Sequence, residues 1–171
     1  MKGRMISLAA SAALFVGLGS AALAAGAAPG LAGAQPHLNS LARSYLAADQ
    51  LLAHDRLDGV AADFATIGHC AENVVKADPA LTAEAGAVRR AAQPHAATLK
   101  EARTSFKALS AAVISLLKTA PPSAAATGTL YTLHCPMAQA DWLQTSKVVA
   151  NPYLGQAMGA CGTVTGTIHT K

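Results

Sequence analysis

Aromatic and charged residues are scarce in this sequence. Aromatics make up 4% and charged residues 13% of the 171 residues, with a single tryptophan. So few aromatic side chains predict a core built mainly from alanine, leucine and valine. The sequence has no long run of lysine or arginine, and without Lys2 and Arg4 the formal net charge falls from +4 to +2. A mildly basic chain of this kind argues against nucleic acid as the main partner.

Sequence patterns typical of catalysis are also missing. There is no C-x-x-C redox pair, no glycine-rich phosphate loop and no pair of carboxylates placed for acid–base work. His134 and Cys135 are adjacent and have the residue types of a nucleophile pair. Neighbours along a strand point to opposite faces, however, which is poor geometry for activating a thiol. We therefore predict that the protein is not an enzyme.

The first 24 residues resemble a secretory signal peptide. Lys2 and Arg4 precede an apolar stretch over residues 6–23, and residues 22–24 form the small-x-small pattern that a signal peptidase cleaves. An uncleaved membrane anchor is the alternative, because the stretch is close to spanning length. Its Ala/Gly content and its cleavage-like end favour removal. The sequence therefore predicts a signal peptide at residues 1–24 and a periplasmic protein with no membrane segment after cleavage.

Four segments between residues 36 and 120 carry apolar residues at alternating spacings of three and four, as amphipathic helices do. Asp55 and Asp78 are the expected caps of the second and third helices, and Pro121 ends the fourth. Short connections between four such helices predict an antiparallel four-helix bundle. Residues 25–35 are rich in Ala and Gly and predict a flexible leader, so a single domain is predicted over residues 36–171. The stripes are Leu38, Leu41, Tyr45, Ala48 and Leu52; Leu57, Val60, Phe64, Ile67, Ala71 and Val74; Leu81, Ala85 and Val88; and Leu99, Ala102, Phe106, Leu109, Val113 and Leu116.

The segment at residues 128–168 has a different pattern. Its ends, GTLYTLH and GTVTGTI, are short, Thr-rich and β-branched, so they predict two strands. If these strands pair antiparallel, the end of the first meets the start of the second. Cys135 and Cys161 would then lie at the same end of the ribbon, accompanied by Met137 and Met158. The expected fold is therefore mainly α: the four-helix antiparallel bundle followed by a short antiparallel β-ribbon with an irregular Cys/Met segment.

Soft metal ligands are concentrated in this segment. Met137 and Met158 are the only methionines after the predicted signal peptide, one two residues after Cys135 and the other three before Cys161. A core that used methionine to fill gaps would scatter it among the helical stripes, which contain none. Thiolate and thioether ligands select Cu(I), and by the same softness Ag(I), whereas no Asp/Glu cluster is present to suit calcium or magnesium. His134 is assigned a supporting role at most, because in a strand it points away from Cys135.

A structural disulfide is the competing interpretation of the two cysteines. An exported protein meets an oxidising periplasm. A bond between Cys135 and Cys161 would close a loop of about 25 residues and stabilise the fold by roughly 3 kcal/mol. The protein would then be a disulfide-stabilised interaction module without its own metal. Metal site and disulfide could also be the reduced and oxidised states of one pair. Cys70, beside His69 on the second helix, is expected to be a half-buried free thiol next to a solvated histidine.

Four motifs in this order, CPMA, ADWL, NPYLG and M-x-x-CG, resemble an uncharacterised exported bacterial domain. R-x-x-F-x-x-LS, from Arg103 to Ser110, resembles the last helix of the same family, and the resemblance extends over about residues 38–168. That domain occurs alone or fused to the periplasmic adaptor (membrane-fusion) subunits of copper/silver efflux pumps.

The resemblance implies a helical bundle closed by the Cys/Met segment and a role in handling copper or a related soft metal. The implied metal positions are Cys135, Met137, Met158 and Cys161. The chain lacks lipoyl and barrel segments and is too short to be an adaptor itself. A copper/silver efflux adaptor is therefore the partner that the resemblance suggests.

Overall fold

The structure is a computed structural model that describes residues 29–93 and 97–170. The predicted signal peptide at residues 1–24 lies outside the described residues. The described chain is mainly helical, with a small antiparallel sheet near its C-terminus. No helix among these residues is both long enough and apolar enough to cross a membrane. The helices are α1 (Pro29–Ala53), α2 (Val60–Ala77), α3 (Thr82–Ala91), α4 (Leu99–Thr119) and α5 (Ala124–Thr127), and the strands are β1 (Leu130–Cys135), β2 (Ala140–Gln144) and β3 (Thr163–Ile168), with 3-10 turns at Pro79–Leu81 and Gly155–Met158.

The first helix begins at Pro29, earlier than its predicted start at Pro36. Residues 29–35, which belong to the predicted leader, form the first turns of α1, and Pro36 lies inside the helix. Alanine has the strongest helix propensity of all residues, and Ala34 is completely buried in the core. This part of the Ala/Gly-rich stretch is therefore packed helix rather than flexible leader.

The apolar stripes predicted for the helices are their buried faces, which confirms a mainly α fold. Tyr45 of α1, Phe64 of α2 and Phe106 of α4 are all buried. The ring of Phe106 stacks on Tyr45 at 5.0 Å between centroids and on Phe64 at 6.2 Å. Helices α1, α2 and α3 each contact the helix that follows in sequence, and the short α5 contacts α1. These three aromatic rings thus lie where helices from different parts of the sequence meet.

Of the two predicted helix caps, Asp78 is confirmed and Asp55 is wrong. Asp78 accepts a hydrogen bond from the Ala80 amide at 3.1 Å and caps the turn that leads into α3, as predicted. Asp55 does not cap α2, because the helix starts after Gly59. Its carboxylate instead pairs with Arg103 of α4. A residue expected to act locally therefore makes a long-range contact.

The sheet has three strands in the order β2-β1-β3, with β1 antiparallel to both neighbours. The predicted pairing of the two Thr-rich segments is confirmed, since Leu130 lies opposite Ile168 and His134 opposite Thr163. The prediction of a two-stranded ribbon was incomplete, because Ala140–Gln144 adds β2 to the other edge. The turn before β2 contains Gln139 at φ 48° rather than an Asn-Gly or Asp-Gly turn, so the sequence carried no hairpin signal there.

The sheet packs on the helices mainly through β2. The Leu143 amide donates to the Tyr45 hydroxyl at 3.1 Å, and that hydroxyl lies 2.8 Å from the Ser110 hydroxyl of α4. Leu130, Leu143 and Ile168 complete the helical core. Three further buried residues, Leu133, Cys135 and Trp142, form a second, smaller cluster of their own. This small cluster contains Cys135, and Cys161 packs against it.

Candidate metal centre

Cys135 and Cys161 lie side by side at one end of the sheet. Cys135 is the last residue of β1 and Cys161 comes two residues before β3, so antiparallel pairing brings them together. Their sulfur atoms are 3.0 Å apart. That is longer than a disulfide bond of about 2.05 Å and short enough for direct thiol–thiol contact. Cys70 belongs instead to the core between the helices.

The two thiols differ in access to solvent. Cys135 is fully buried and packs with Leu133 and Trp142. Cys161 is only half-buried, and it lies on the solvent side of the same cluster. An ion or an oxidant would therefore approach the pair from the side of Cys161.

Hydrogen bonding shifts the pKa values of the two thiols in opposite directions. Burial by itself raises the pKa of Cys135, but hydrogen bonds to its sulfur from the Cys161 thiol, the Ala138 amide and the Asn151 side chain outweigh this effect and lower the pKa. The Ala138 nitrogen is 3.4 Å from that sulfur. The same thiol–thiol hydrogen bond raises the pKa of Cys161, because that residue holds the shared proton. In the reduced protein Cys135 is therefore the thiol that ionises first.

Both methionines of the segment are exposed to solvent. Met137 is 63% exposed and Met158 is 43% exposed. Their main chains adjoin the cysteine pair, since the Cys161 amide donates to the Met158 carbonyl at 3.0 Å and the Met137 amide is directed at Cys135. Both side chains are therefore exposed, and neither thioether fills a gap in the core.

The structure does not bring His134 to the cysteine pair. Leu133 and Cys135, on either side of it, belong to the buried cluster, whereas His134 points to the other face of the sheet. Its Nδ1 atom lies 2.7 Å from the Asp141 carboxylate on β2. The imidazole is thus part of a cross-strand pair, and a role as ligand to an ion at the two thiols would require it to leave that pair.

Asn151 organises the loop around the thiols and was not singled out in the sequence. It is fully buried, and its Nδ2 atom donates to the Cys161 carbonyl at 2.6 Å. Its Oδ1 atom accepts from the Tyr153 and Leu154 amides at 2.8 Å and 3.0 Å. The signal for this role is the Asn-Pro dipeptide, because an asparagine side chain commonly bonds to the backbone two residues further on.

Gly162 allows the chain to pass close to Trp142 directly after Cys161. It adopts φ 146°, and a Cβ atom there would lie 2.5 Å from the Trp142 ring. Trp142 is itself held by a hydrogen bond from its Nε1 atom to Gln144 at 3.0 Å. The close approach of the chain to the indole ring directly after Cys161 therefore requires a residue without a side chain.

Arg103 of α4 anchors the segment to the helices. Its Nε atom donates to the Pro152 carbonyl at 3.0 Å, and its Nη2 atom donates to the Leu52 carbonyl at 2.9 Å and pairs with Asp55. The hydrogen bond from Arg103 lowers the pKa of Asp55. One residue thus joins α4, the end of α1 and the segment that carries the thiols.

Across residues 29–93 and 97–170, no three side chains of His, Cys, Asp or Glu converge as a ready metal site. The candidate donors are the two thiols, which are in contact, and Met137 and Met158, whose main chains adjoin them. No protein-family model matches the chain, and no curated protein or solved structure matches it. The resemblance to the exported domain stays a prediction.

Proposed function

We propose that this protein binds Cu(I) in the periplasm through Cys135 and Cys161, and either sequesters the ion or passes it to an efflux system. The observation that carries the proposal is the contact of the two sulfurs at 3.0 Å beside the exposed Met137 and Met158. Copper is here a cargo that is bound and released, so no catalytic residue is assigned and the protein is not proposed to be an enzyme.

The donor set suits a soft monovalent ion. Two thiolates supply negative charge and most of the affinity, and a neutral thioether from Met137 or Met158 completes the shell. Cu(I) and Ag(I) favour these ligands, whereas Mg²⁺ and Ca²⁺ need oxygen ligands. His134 is the weakest member of the predicted set, because its imidazole is paired with Asp141.

The helices have a supporting role in this proposal. We propose that the four long helices form an antiparallel bundle and that α4 presents the Cys/Met segment to solvent. Arg103, Phe106 and Ser110, the residues that resemble the family's last helix, all contact the segment or the residues that hold it. A periplasmic copper/silver efflux adaptor is the proposed partner, reached after removal of the signal peptide at residues 1–24.

The test is an anaerobic titration of the reduced mature protein against a colorimetric Cu(I) chelator. We expect one Cu(I) per chain. Cys135→Ser should weaken binding by more than the roughly 10- to 100-fold that loss of an outer-shell partner costs, and Met158→Leu should weaken it less. Cys70→Ser is the matched control, because that thiol is buried among the helices, and it should bind copper like the wild type.

Two results would contradict the copper proposal. One is a Cys135→Ser variant that holds Cu(I) as tightly as the wild type. The other is displacement of the ion by Mg²⁺ or Ca²⁺ but not by Ag(I). Either result would show that the two thiols do not bind Cu(I) as soft ligands.

A disulfide-stabilised interaction module is the second candidate, and the same sulfur contact favours it. Formation of a disulfide between Cys135 and Cys161 removes two hydrogen atoms and would lower the intact mass by about 2 Da. Closure of the loop would stabilise the fold by roughly 3 kcal/mol. Mass spectrometry under non-reducing conditions, with peptide mapping, identifies the bonded pair. A reduced protein that binds no Cu(I), together with an oxidised form that is more stable, would favour this candidate over the first.

A further inference from the structure

A cleft of about 540 Å³ lies between the first half of α4 and the segment that follows β1. Leu99, Lys100, Arg103 and Lys107 line it from α4, and Ala138, Tyr153 and Leu154 face them. Its volume falls within the range of roughly 300 to 1,000 Å³ that is typical of small-molecule sites. None of the candidate metal ligands lines it, so the copper proposal does not account for it.

One wall of the cleft is cationic. Lys100, Arg103 and Lys107 follow one another at spacings of three and four and therefore share a face of α4. Arg103 is already paired with Asp55. Lys107 donates one hydrogen bond to the Ala138 carbonyl at 2.8 Å, which leaves two of the three donors of its ammonium group.

Lys100 adds a charge with no counterion. Its side chain is exposed, and the ion pairs formed within residues 29–93 and 97–170 do not include it. No aspartate or glutamate lines the cleft on any side that the structure describes. Since lysine side chains are long and flexible, Lys100 and Lys107 are able to converge on one anionic group above Thr104, which lies between them on α4.

The opposite wall is apolar. Ala138, Tyr153 and Leu154 are half-buried, and all three pack against the small cluster that contains Cys135 and Trp142. The Tyr153 hydroxyl donates its proton to the Asp141 carbonyl, so the tyrosine offers the cleft an apolar ring and no free hydroxyl donor. A cationic wall facing an apolar wall suits a ligand with one charged end and one apolar end.

We propose that the cleft binds a small organic carboxylate with an apolar body. The carboxylate lies between Lys100 and Lys107, and the apolar body lies against Tyr153 and Leu154. The Ala138 amide that donates to Cys135 belongs to the apolar wall, so the apolar body of the ligand lies against a residue that contacts the thiol pair. The proposal rests on the cleft alone and stands whether or not the thiols bind copper.

The test is a titration monitored by amide chemical shifts, with octanoate as the probe. We expect octanoate to shift the amides of Lys107 and Ala138. Octanol, which lacks the charge, and acetate, which lacks the apolar body, should each bind at least about 10-fold more weakly. Lys100→Gln and Lys107→Gln should each weaken octanoate binding by about 5- to 10-fold, the effect of losing one charge-assisted hydrogen bond.

Lys118→Gln is the matched control, because Lys118 is an exposed lysine of the same helix that lies outside the cleft. It should bind octanoate like the wild type. The proposal is overturned if octanol binds as tightly as octanoate, or if Lys118→Gln weakens binding as much as Lys100→Gln does. It is also overturned if a hexaglutamate peptide binds more tightly than octanoate, since the cleft would then fit an acidic protein segment.

Discussion

The helical part and the C-terminal segment are held in place by different interactions. In the helices, apolar stripes meet other apolar stripes, and few polar side chains are buried there, Asp49 and Ser110 among them. In the segment, buried polar side chains such as Gln144 and Asn151 hold the chain through hydrogen bonds to backbone groups. Apolar packing therefore builds the support, whereas directional hydrogen bonds set the position of the two thiols.

The joint between the two regions combines both kinds of interaction. Phe106 packs against aromatic rings on each side of it, and Arg103 donates hydrogen bonds to carbonyls of α1 and of the segment. If the comparison is correct, substitutions at the joint affect the thiol pair as well as stability, whereas substitutions in the exposed loop around Val148 affect neither.

The largest effect is expected for Phe106→Ala. Phe106 is fully buried and contacts the rings of Tyr45, Phe64 and Tyr153. Its removal should lower the free energy of unfolding by about 3–5 kcal/mol, as measured by urea denaturation. Val148→Ala, at a side chain that is 80% exposed, is the control and should stay within about 0.5 kcal/mol of the wild type. Equal costs for the two variants would contradict the assignment of Phe106 to the joint.

A smaller effect is expected for Arg103→Lys. A lysine keeps the charge opposite Asp55. Unlike the planar guanidinium of arginine, its ammonium group cannot donate to the Leu52 and Pro152 carbonyls simultaneously. Loss of these hydrogen bonds should cost about 1–2 kcal/mol. Hydrogen exchange should accelerate in residues 151–161 more than in α2. Arg90→Lys, at an exposed position of α3, should change neither, and uniform acceleration in Arg103→Lys would argue against a joint.

The smallest effect on the free energy of unfolding near pH 4 is expected for Asp49→Asn. This substitution should change how stability depends on pH. Both carboxylate oxygens of Asp49 are buried, and neither has a hydrogen-bond partner among the described residues. Burial raises the pKa of Asp49 well above its usual value. The folded protein therefore holds a proton that the unfolded chain releases above about pH 4, and stability falls as pH rises from there towards the folded pKa.

Asp49→Asn should remove this slope. The variant and the wild type should have similar stability near pH 4, and the variant should become the more stable of the two as pH rises towards 8. Thermal unfolding at a series of pH values measures this difference. Tyr45 and Tyr153 also have raised pKa values because they are buried, but they contribute only above about pH 10. Parallel pH profiles for the two proteins would show that Asp49 is solvated.

Spacing along the chain was enough to predict the features that depend on local periodicity. The helical stripes and the meeting of Cys135 with Cys161 follow from the 3.6-residue repeat and from antiparallel pairing. The strand β2 was not predicted, because Trp142, Leu143 and Gln144 are all buried and show no alternation. Asp55 was misassigned because its partner, Arg103, lies 48 residues away, and no local pattern specifies such a contact.

The position of Cys70 has a consequence for how the chain folds. Helices that contact their sequence neighbours close short loops and tend to form early, so we expect Cys70 to be enclosed between them before β3 pairs with β1. Burial also raises the pKa of Cys70, and a thiol that stays protonated is a slow nucleophile in disulfide exchange. Under oxidising conditions we therefore expect Cys70 to react more slowly than Cys135 and Cys161, whose sulfur atoms are in contact.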